Sequence, residues 1–330
     1  MTMLCRAERI QQKERSPKKV YKFGIAILAL SLLTGSASGA RADGDTDTQS
    51  NVKGMTMAQG EAKVSTKHGY LPVNGLNMYY EIEGSGYPLV YIPPAFGYAG
   101  VTSFPALAAN HSVITIDLQG NGRTADLPDR PLSIEQYASD VVALLEQLGI
   151  AEADFFGDSY GGSTAAMIAI RHPEIVRRVV ACSATFGPPE EALNPLMTHF
   201  ERPPTAEGRG IQFQRENYKK VAPAPEYWTK IYEKVGMIQW RGFTQAELAS
   251  IKVPLLIIVG DHDFVRIEHA VETFNLIPGA EIAVIPSASH FVVYSEQEKL
   301  MPIIKHFLEK PALEIPLATA ELGYHPGKTR

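Results

Sequence analysis

Short, nearly unbroken apolar runs alternating with helix-patterned segments constrain this chain most. Residues 88–92, 112–117, 153–156, 178–184, 253–259 and 281–285 read as strands, and 75–83 reads as a hairpin-type strand. Runs with so few polar interruptions suit strands covered on both faces. Between them lie helical patterns. Ser133 and Gln136 form the Ser-x-x-Gln of a capping box; Ile134, Tyr137, Val141, Leu144, Leu145 and Leu148 follow helical spacing; Gly149 ends the run. Residues 162–170 and 297–308 read as further helices. Strands alternating with helices predict an α/β fold with a doubly wound, mostly parallel sheet.

Residues 187–247 break the alternation. They hold several prolines, both tryptophans (Trp228 and Trp240), and Phe200, Phe213, Tyr218, Tyr227, Tyr232 and Phe243. An aromatic-rich insertion between two sheet strands predicts a helical cap, with the core in residues 67–186 and 248–310. Residues 43–66 are polar and aperiodic and read as a flexible linker, and residues 311–330 as a loosely attached tail. There is no internal repeat.

The first 42 residues have a different character. Lys18, Lys19 and Lys22 precede the apolar stretch 23–33, and Ala40-Arg41-Ala42 follows. A basic segment, a short apolar segment and an Ala-x-Ala site predict a cleaved signal peptide and a periplasmic or secreted protein, with an uncleaved membrane anchor as the alternative. Residues 1–42 carry eight basic and two acidic groups, net +6, so a whole-chain charge of −5 leaves −11 on the remainder. Such a balance argues against nucleic acid or an anionic membrane as partner once the signal is removed. Beyond Cys5 only Cys182 remains, too few for an internal disulfide, and its apolar surroundings predict a small buried hydrophobe. No Cys/His cluster has zinc spacing and no glycine-rich phosphate loop occurs, so no metal or cofactor is expected.

Gly157-Asp158-Ser159-Tyr160-Gly161 joins a predicted strand to a predicted helix. A serine in Gly-x-Ser-x-Gly at such a junction reads as a nucleophile on a strained turn, its glycines needed because side chains there would strike the converging strand and helix. The helix start behind it offers N–H groups and a positive dipole end to an oxyanion. Asp117-Leu118-Gln119-Gly120-Asn121-Gly122-Arg123-Thr124 follows an earlier strand, and Gly260-Asp261-His262-Asp263 and Ser289-His290-Phe291 follow late ones.

With these motifs in this order, the chain resembles the α/β-hydrolase superfamily over about residues 70–310. The resemblance implies Ser159 as nucleophile and His290 as base, the latter following a strand and small residues. Its Gly-x-x-Asp pattern places the orienting carboxylate at Asp263, which leaves Asp261 a loop residue making turn hydrogen bonds; Asp261 as the acid is the alternative. It implies oxyanion donation by the N–H groups of Ala95 and Tyr160. At Pro93-Pro94 the chain departs from the family's His-Gly, which leaves a shift of the donor to Phe96 open. Asp117 and Arg123 read as a structural turn network. A serine here excludes the alkyl-enzyme chemistry of family members with Asp at this position. The expectation is an exported serine hydrolase acting on a small, largely apolar ester. C–C bond, lactone or amide hydrolysis, cofactor-free perhydrolysis and a non-catalytic ligand-binding role are the alternatives.

Overall fold

The computed structural model describes residues 66–195, 206–208 and 211–310. The expected signal peptide, the linker up to residue 65, the tail at 311–330 and Phe200 lie outside the described residues.

Eight strands form one sheet in the order β1-β2-β4-β3-β5-β6-β7-β8. They are β1 (Thr66–Val73), β2 (Leu76–Gly84), β3 (Tyr87–Ile92), β4 (His111–Ile116), β5 (Ala153–Asp158), β6 (Val176–Cys182), β7 (Leu255–His262) and β8 (Glu281–Ser289). β1 and β2 form an antiparallel hairpin, and β2 also runs antiparallel to β4. From β4 across to β8 every pairing is parallel. β1 is absent from the sequence reading, since His68, Gly69 and Pro72 interrupt its apolar pattern, and Thr66, read as linker, opens it.

The central strands are buried on both faces, as unbroken apolar runs require. Val90, Phe155, Val179 and Ile257 pack into the core on one side of the sheet. Their chain neighbours Leu89, Phe156, Val180 and Leu256 pack into a second core on the other. Helices cover both sides: α1 (Pro105–Ala108), α2 (Ile134–Leu148), α3 (Tyr160–Arg171), α4 (Pro189–Ala192), α5 (Gln212–Val221), α6 (Trp228–Gly236), α7 (Gln245–Ser250), α8 (Ile267–Leu276), α9 (Val292–Ser295) and α10 (Gln297–Glu309).

α2 starts and stops where its punctuation requires. Ser133 Oγ accepts the Gln136 N–H at 3.0 Å, and Gly149 ends the helix in the left-handed region at φ 68°. The second half of the predicted capping box does not form. Gln136 Nε2 donates to Asp140 Oδ1 instead, at 3.0 Å. Asp140 has no exposed side-chain surface and also holds Arg130 through both oxygens, at 3.1 and 2.8 Å. The buried carboxylate thereby holds the Gln136 side chain at Asp140, while the Ser133 N–H would have needed Gln136 Oε1 as its acceptor.

Between β6 and β7 the described residues hold α4 to α7. Trp228 and Tyr232 of α6 bring their rings within 5.1 and 6.1 Å of Phe96, in the loop after β3. Trp228 Nε1 donates to Ala206 O at 2.7 Å, so the ring is buried with its polar edge satisfied. Trp240 Nε1 ties the returning segment to Thr185 O at 3.2 Å. Tyr218, Trp228 and Tyr232 thus pack on one another, and Trp228 and Tyr232 also on the loop after β3, while Phe213 and Tyr227 stay exposed.

Candidate active site

The parallel strands β3, β5, β6, β7 and β8 end at one edge of the sheet, where open α/β sheets gather their sites. Ser159 lies between β5 and α3 with φ 54° and ψ −118°, a conformation that non-glycine residues rarely adopt. Its N–H donates to Cys182 O at 2.8 Å, which fixes the turn to β6. The flanking glycines are steric requirements. A Cβ on Gly157 would lie 2.1 Å from Gly161 O, and one on Gly161 would lie 1.9 Å from Ile92 O. Strand, turn and helix therefore approach more closely than any side chain allows.

His290 follows β8. Its Nε2 is 3.1 Å from Ser159 Oγ, and its Nδ1 is 2.8 Å from Asp263 Oδ1. Asp263 Oδ1 also accepts the Val265 N–H at 2.9 Å, and Oδ2 accepts the Ser183 hydroxyl at 2.6 Å. Burial works to raise the Asp263 carboxyl. The opposite charge of His290 and the hydrogen bonds from His290, Ser183 and Val265 outweigh it and hold the group below the usual carboxylate range. The structure brings Ser159, His290 and Asp263 into one hydrogen-bonded chain.

Asp261 stands elsewhere. It and His262 are the last residues of β7, not loop residues. Asp261 Oδ1 accepts the Ala288 N–H at 3.0 Å and meets His262 Nδ1 at 2.7 Å. Backbone donors from β8 lead the causes that lower its carboxyl to about 2.

In the loop after β3, Pro93 and Pro94 carry no amide donor. The Phe96 N–H is committed to Asn121 Oδ1 at 2.9 Å, and the Gly97 N–H to Pro94 O at 2.9 Å. Ala95 is therefore the loop amide free of these ties. Gly161 packs directly beneath Ile92 and Pro93, so this loop faces the elbow. Tyr160, the first residue of α3, presents an N–H ahead of the helical ladder.

Three residues at the site escaped the sequence reading. Ser183, at φ 50°, supports Asp263. Asn121 occupies the Phe96 amide. Phe264 stacks on the His290 ring with centroids 3.7 Å apart and 26° between planes. Asn121 lies in the Asp117–Thr124 motif, which gives it no role by itself, and a lone serine after a strand and a phenylalanine after an aspartate are common. Asp117 and Arg123 form the expected turn network. Asp117 accepts the N–H groups of Ala99 and Arg123 at 2.6 and 2.7 Å, and Arg123 reaches Ala99 O at 2.9 Å. Burial outweighs those bonds and pushes the Asp117 carboxyl up to about 7. Cys182 is fully buried, and desolvation pushes its thiol well above the ordinary range.

Known proteins share this architecture. The family model of the alpha/beta hydrolase fold matches residues 88–235. The sn-1-specific diacylglycerol lipase ABHD11 of Mus musculus is 26% identical over 67% of this chain and 80% of its own length. The 2-hydroxymuconate semialdehyde hydrolase of Pseudomonas sp. (strain CF600) is 36% identical over 29% of this chain and 36% of its own length. The enol-lactonase from Burkholderia xenovorans LB400 superposes with a TM-score of 0.59 at 24% identity, covering 73% of this chain and 100% of that structure. With its sheet order, its elbow and these matches, the chain belongs to the α/β-hydrolase superfamily.

Proposed function

We propose that this protein is a serine hydrolase that cleaves a small, largely apolar ester through an acyl-enzyme on Ser159. The hydrogen-bonded chain from Ser159 through His290 to Asp263 carries the reading. A serine hydroxyl is a poor nucleophile until a base takes its proton. His290 Nε2 takes that proton as Oγ attacks the ester carbonyl carbon. Asp263 holds the proton on Nδ1 and faces the charge that appears on the ring. The carbonyl oxygen becomes an oxyanion and accepts the N–H groups of Ala95 and Tyr160, next to the N-terminus of α3. The tetrahedral intermediate collapses, the carbon–oxygen bond to the alcohol breaks, and the imidazolium protonates the leaving alkoxide. Water, giving a proton to His290, then attacks the acyl carbon and releases the acid. Ser159 recovers its proton from His290.

Aromatic packing of the inserted segment against Phe96, and Phe264 and Phe291 around His290, supports an apolar substrate. C–C bond hydrolysis is the second reading, favoured by the 36% identity to the semialdehyde hydrolase. The test is a panel of esters, lactones and diketones against wild type and Ser159→Ala. The variant is expected to lose on the order of 10⁴-fold or more in kcat. Unchanged ester turnover in Ser159→Ala would sink the reading, and turnover of the diketone alone would select C–C hydrolysis. Export through residues 1–42 belongs to the same proposal and is read by N-terminal sequencing of protein recovered outside the cytoplasm.

A further inference from the structure

The His290 ring is held by its edges and by one face. At the edges, Nδ1 meets Asp263 Oδ1 at 2.8 Å and Nε2 meets Ser159 Oγ at 3.1 Å. Both bonds lie along the ring and resist its tilt weakly, because the histidine χ2 torsion is broad and hydrogen bonds tolerate bending. The face contact is Phe264. Its ring lies over the imidazole with centroids 3.7 Å apart and planes 26° from parallel. Phe291, next to His290 in the chain, stands at 84° with centroids 6.1 Å apart and covers no face. Asp263 and Phe264 are consecutive, so one loop grips the imidazole at an edge and across a face.

A brace must itself be fixed, and the backbone around Phe264 is. Phe264 O accepts the Asn194 N–H at 2.7 Å, and the Arg266 N–H donates to Ala192 O at 2.9 Å. Leu193 and Val265 pair between them as an antiparallel bridge. The end of α4, where the chain enters the insertion, is thereby laced to the loop that carries the acid. The Val265 N–H to Asp263 Oδ1, at 2.9 Å, closes the same loop from within.

We propose that Phe264 is a positioning residue that sets the plane of the His290 ring and keeps Nε2 aimed at the reacting atoms. The inference rests on the serine-hydrolase reading. Its weight falls on the acyl-enzyme. Once Ser159 Oγ is bonded to the acyl carbon it has no proton to give, and the edge bond at Nε2 is lost. Asp263 and the face of Phe264 then hold the imidazole while it takes a proton from water.

The test measures kcat and KM separately on a p-nitrophenyl ester for wild type, Phe264→Leu and Phe264→Tyr. The first variant keeps apolar bulk without a flat face, and the second keeps the face. Phe264→Leu is expected to lose about 10-fold in kcat with KM within about 3-fold of wild type, the size of one aromatic contact withdrawn from the reacting geometry. Phe264→Tyr is expected to keep kcat within about 3-fold of wild type. A kcat preserved in Phe264→Leu, a loss carried by KM alone, or equal losses in both variants would overturn the proposal. Proton NMR of the resting protein needs no turnover. The carbon-bound ring protons of His290, assigned by their loss in His290→Gln, are expected upfield of ordinary histidine positions, since an aromatic ring shields what lies over its face. They are expected to move downfield in Phe264→Leu. Ordinary positions in the wild type would overturn the brace without any variant at Phe264. If Ser159→Ala kept full ester turnover, the hydrolase reading would fall, while the NMR comparison would still decide whether Phe264 holds the ring.

Discussion

Asp263→Asn separates charge from geometry at this site. In the folded protein, Oδ1 accepts two N–H donors, from His290 and Val265, while Oδ2 accepts the Ser183 hydroxyl. An asparagine amide turned the wrong way would set its NH₂ against the Val265 N–H. The oxygen is therefore pinned at the Oδ1 position, and Nδ2 faces Ser183, whose hydroxyl rotates to accept. His290 keeps its proton on Nδ1, and Nε2 stays able to accept from Ser159. Only the negative charge beside the imidazolium is lost. Two unit charges about 4 Å apart at an effective dielectric near 20 are worth about 4 kcal/mol, which is about 10³-fold in rate. The assay is kcat/KM on the ester identified by the substrate panel, with nitrogen-15 NMR of the imidazole to find its proton. Asp261→Asn, whose carboxyl bonds to Ala288 and His262 and not to His290, is expected to change the rate by less than about 3-fold, as an exposed group outside the chain should. A variant at Asp263 within about 10-fold of wild type would refute the role of the charge. A proton found on Nε2 would refute the pinned amide.

The elbow and the acid stability of the fold give two further tests. Gly161→Ala puts a Cβ 1.9 Å from Ile92 O and 2.8 Å from Pro93 O, both backbone atoms. It is expected to cost more than about 4 kcal/mol in urea unfolding. Gly149→Ala, where a Cβ meets nothing within 4 Å but φ is 68°, should cost about 1 kcal/mol. Equal losses would show that packing at the elbow is slack. His269 Nε2 accepts the N–H groups of Phe186 and Gly187 at 3.0 and 3.2 Å, where the chain leaves the sheet for the insertion. Burial, with Arg266 beside it, lowers this histidine to about 4. Its folded value lies below its unfolded one, so its stabilisation is complete above the unfolded value and drains away as pH falls from about 6.5 towards 4, about 3 kcal/mol in all. Asp158 and Asp117 work in the opposite sense, since raised carboxyls favour the fold at low pH. The readout is therefore the difference between wild-type and His269→Asn melting curves from pH 7.5 to 4.5. Parallel curves would mean that His269 does not carry the acid sensitivity.

The features legible in the sequence are those for which one residue type alone satisfies a local demand. The elbow reads clearly because at Gly157 and Gly161 any Cβ would overlap backbone. α2 reads clearly because Ser133 satisfies an orphan N–H and Gly149 takes a positive φ. The Gly-x-x-Asp pattern favours Asp263 without excluding Asp261, since the two lie two residues apart at the end of one apolar run. The extent of β7 decides it. The strand continues through His262, so Asp261 is held beside β8, while the turn closed by Asp263 N–H to Gly260 O carries Asp263 to His290. β1 stayed hidden because His68, Gly69 and Pro72 break its pattern, whereas Ser183, Asn121 and Phe264 each act through a partner more than twenty residues away in the chain, which leaves no local mark. Asp158 falls between the two cases. Its place before the serine is plain, yet its burial beside Tyr91, Cys182 and Tyr294 arises only from the folding of β3, β6 and α9 around β5.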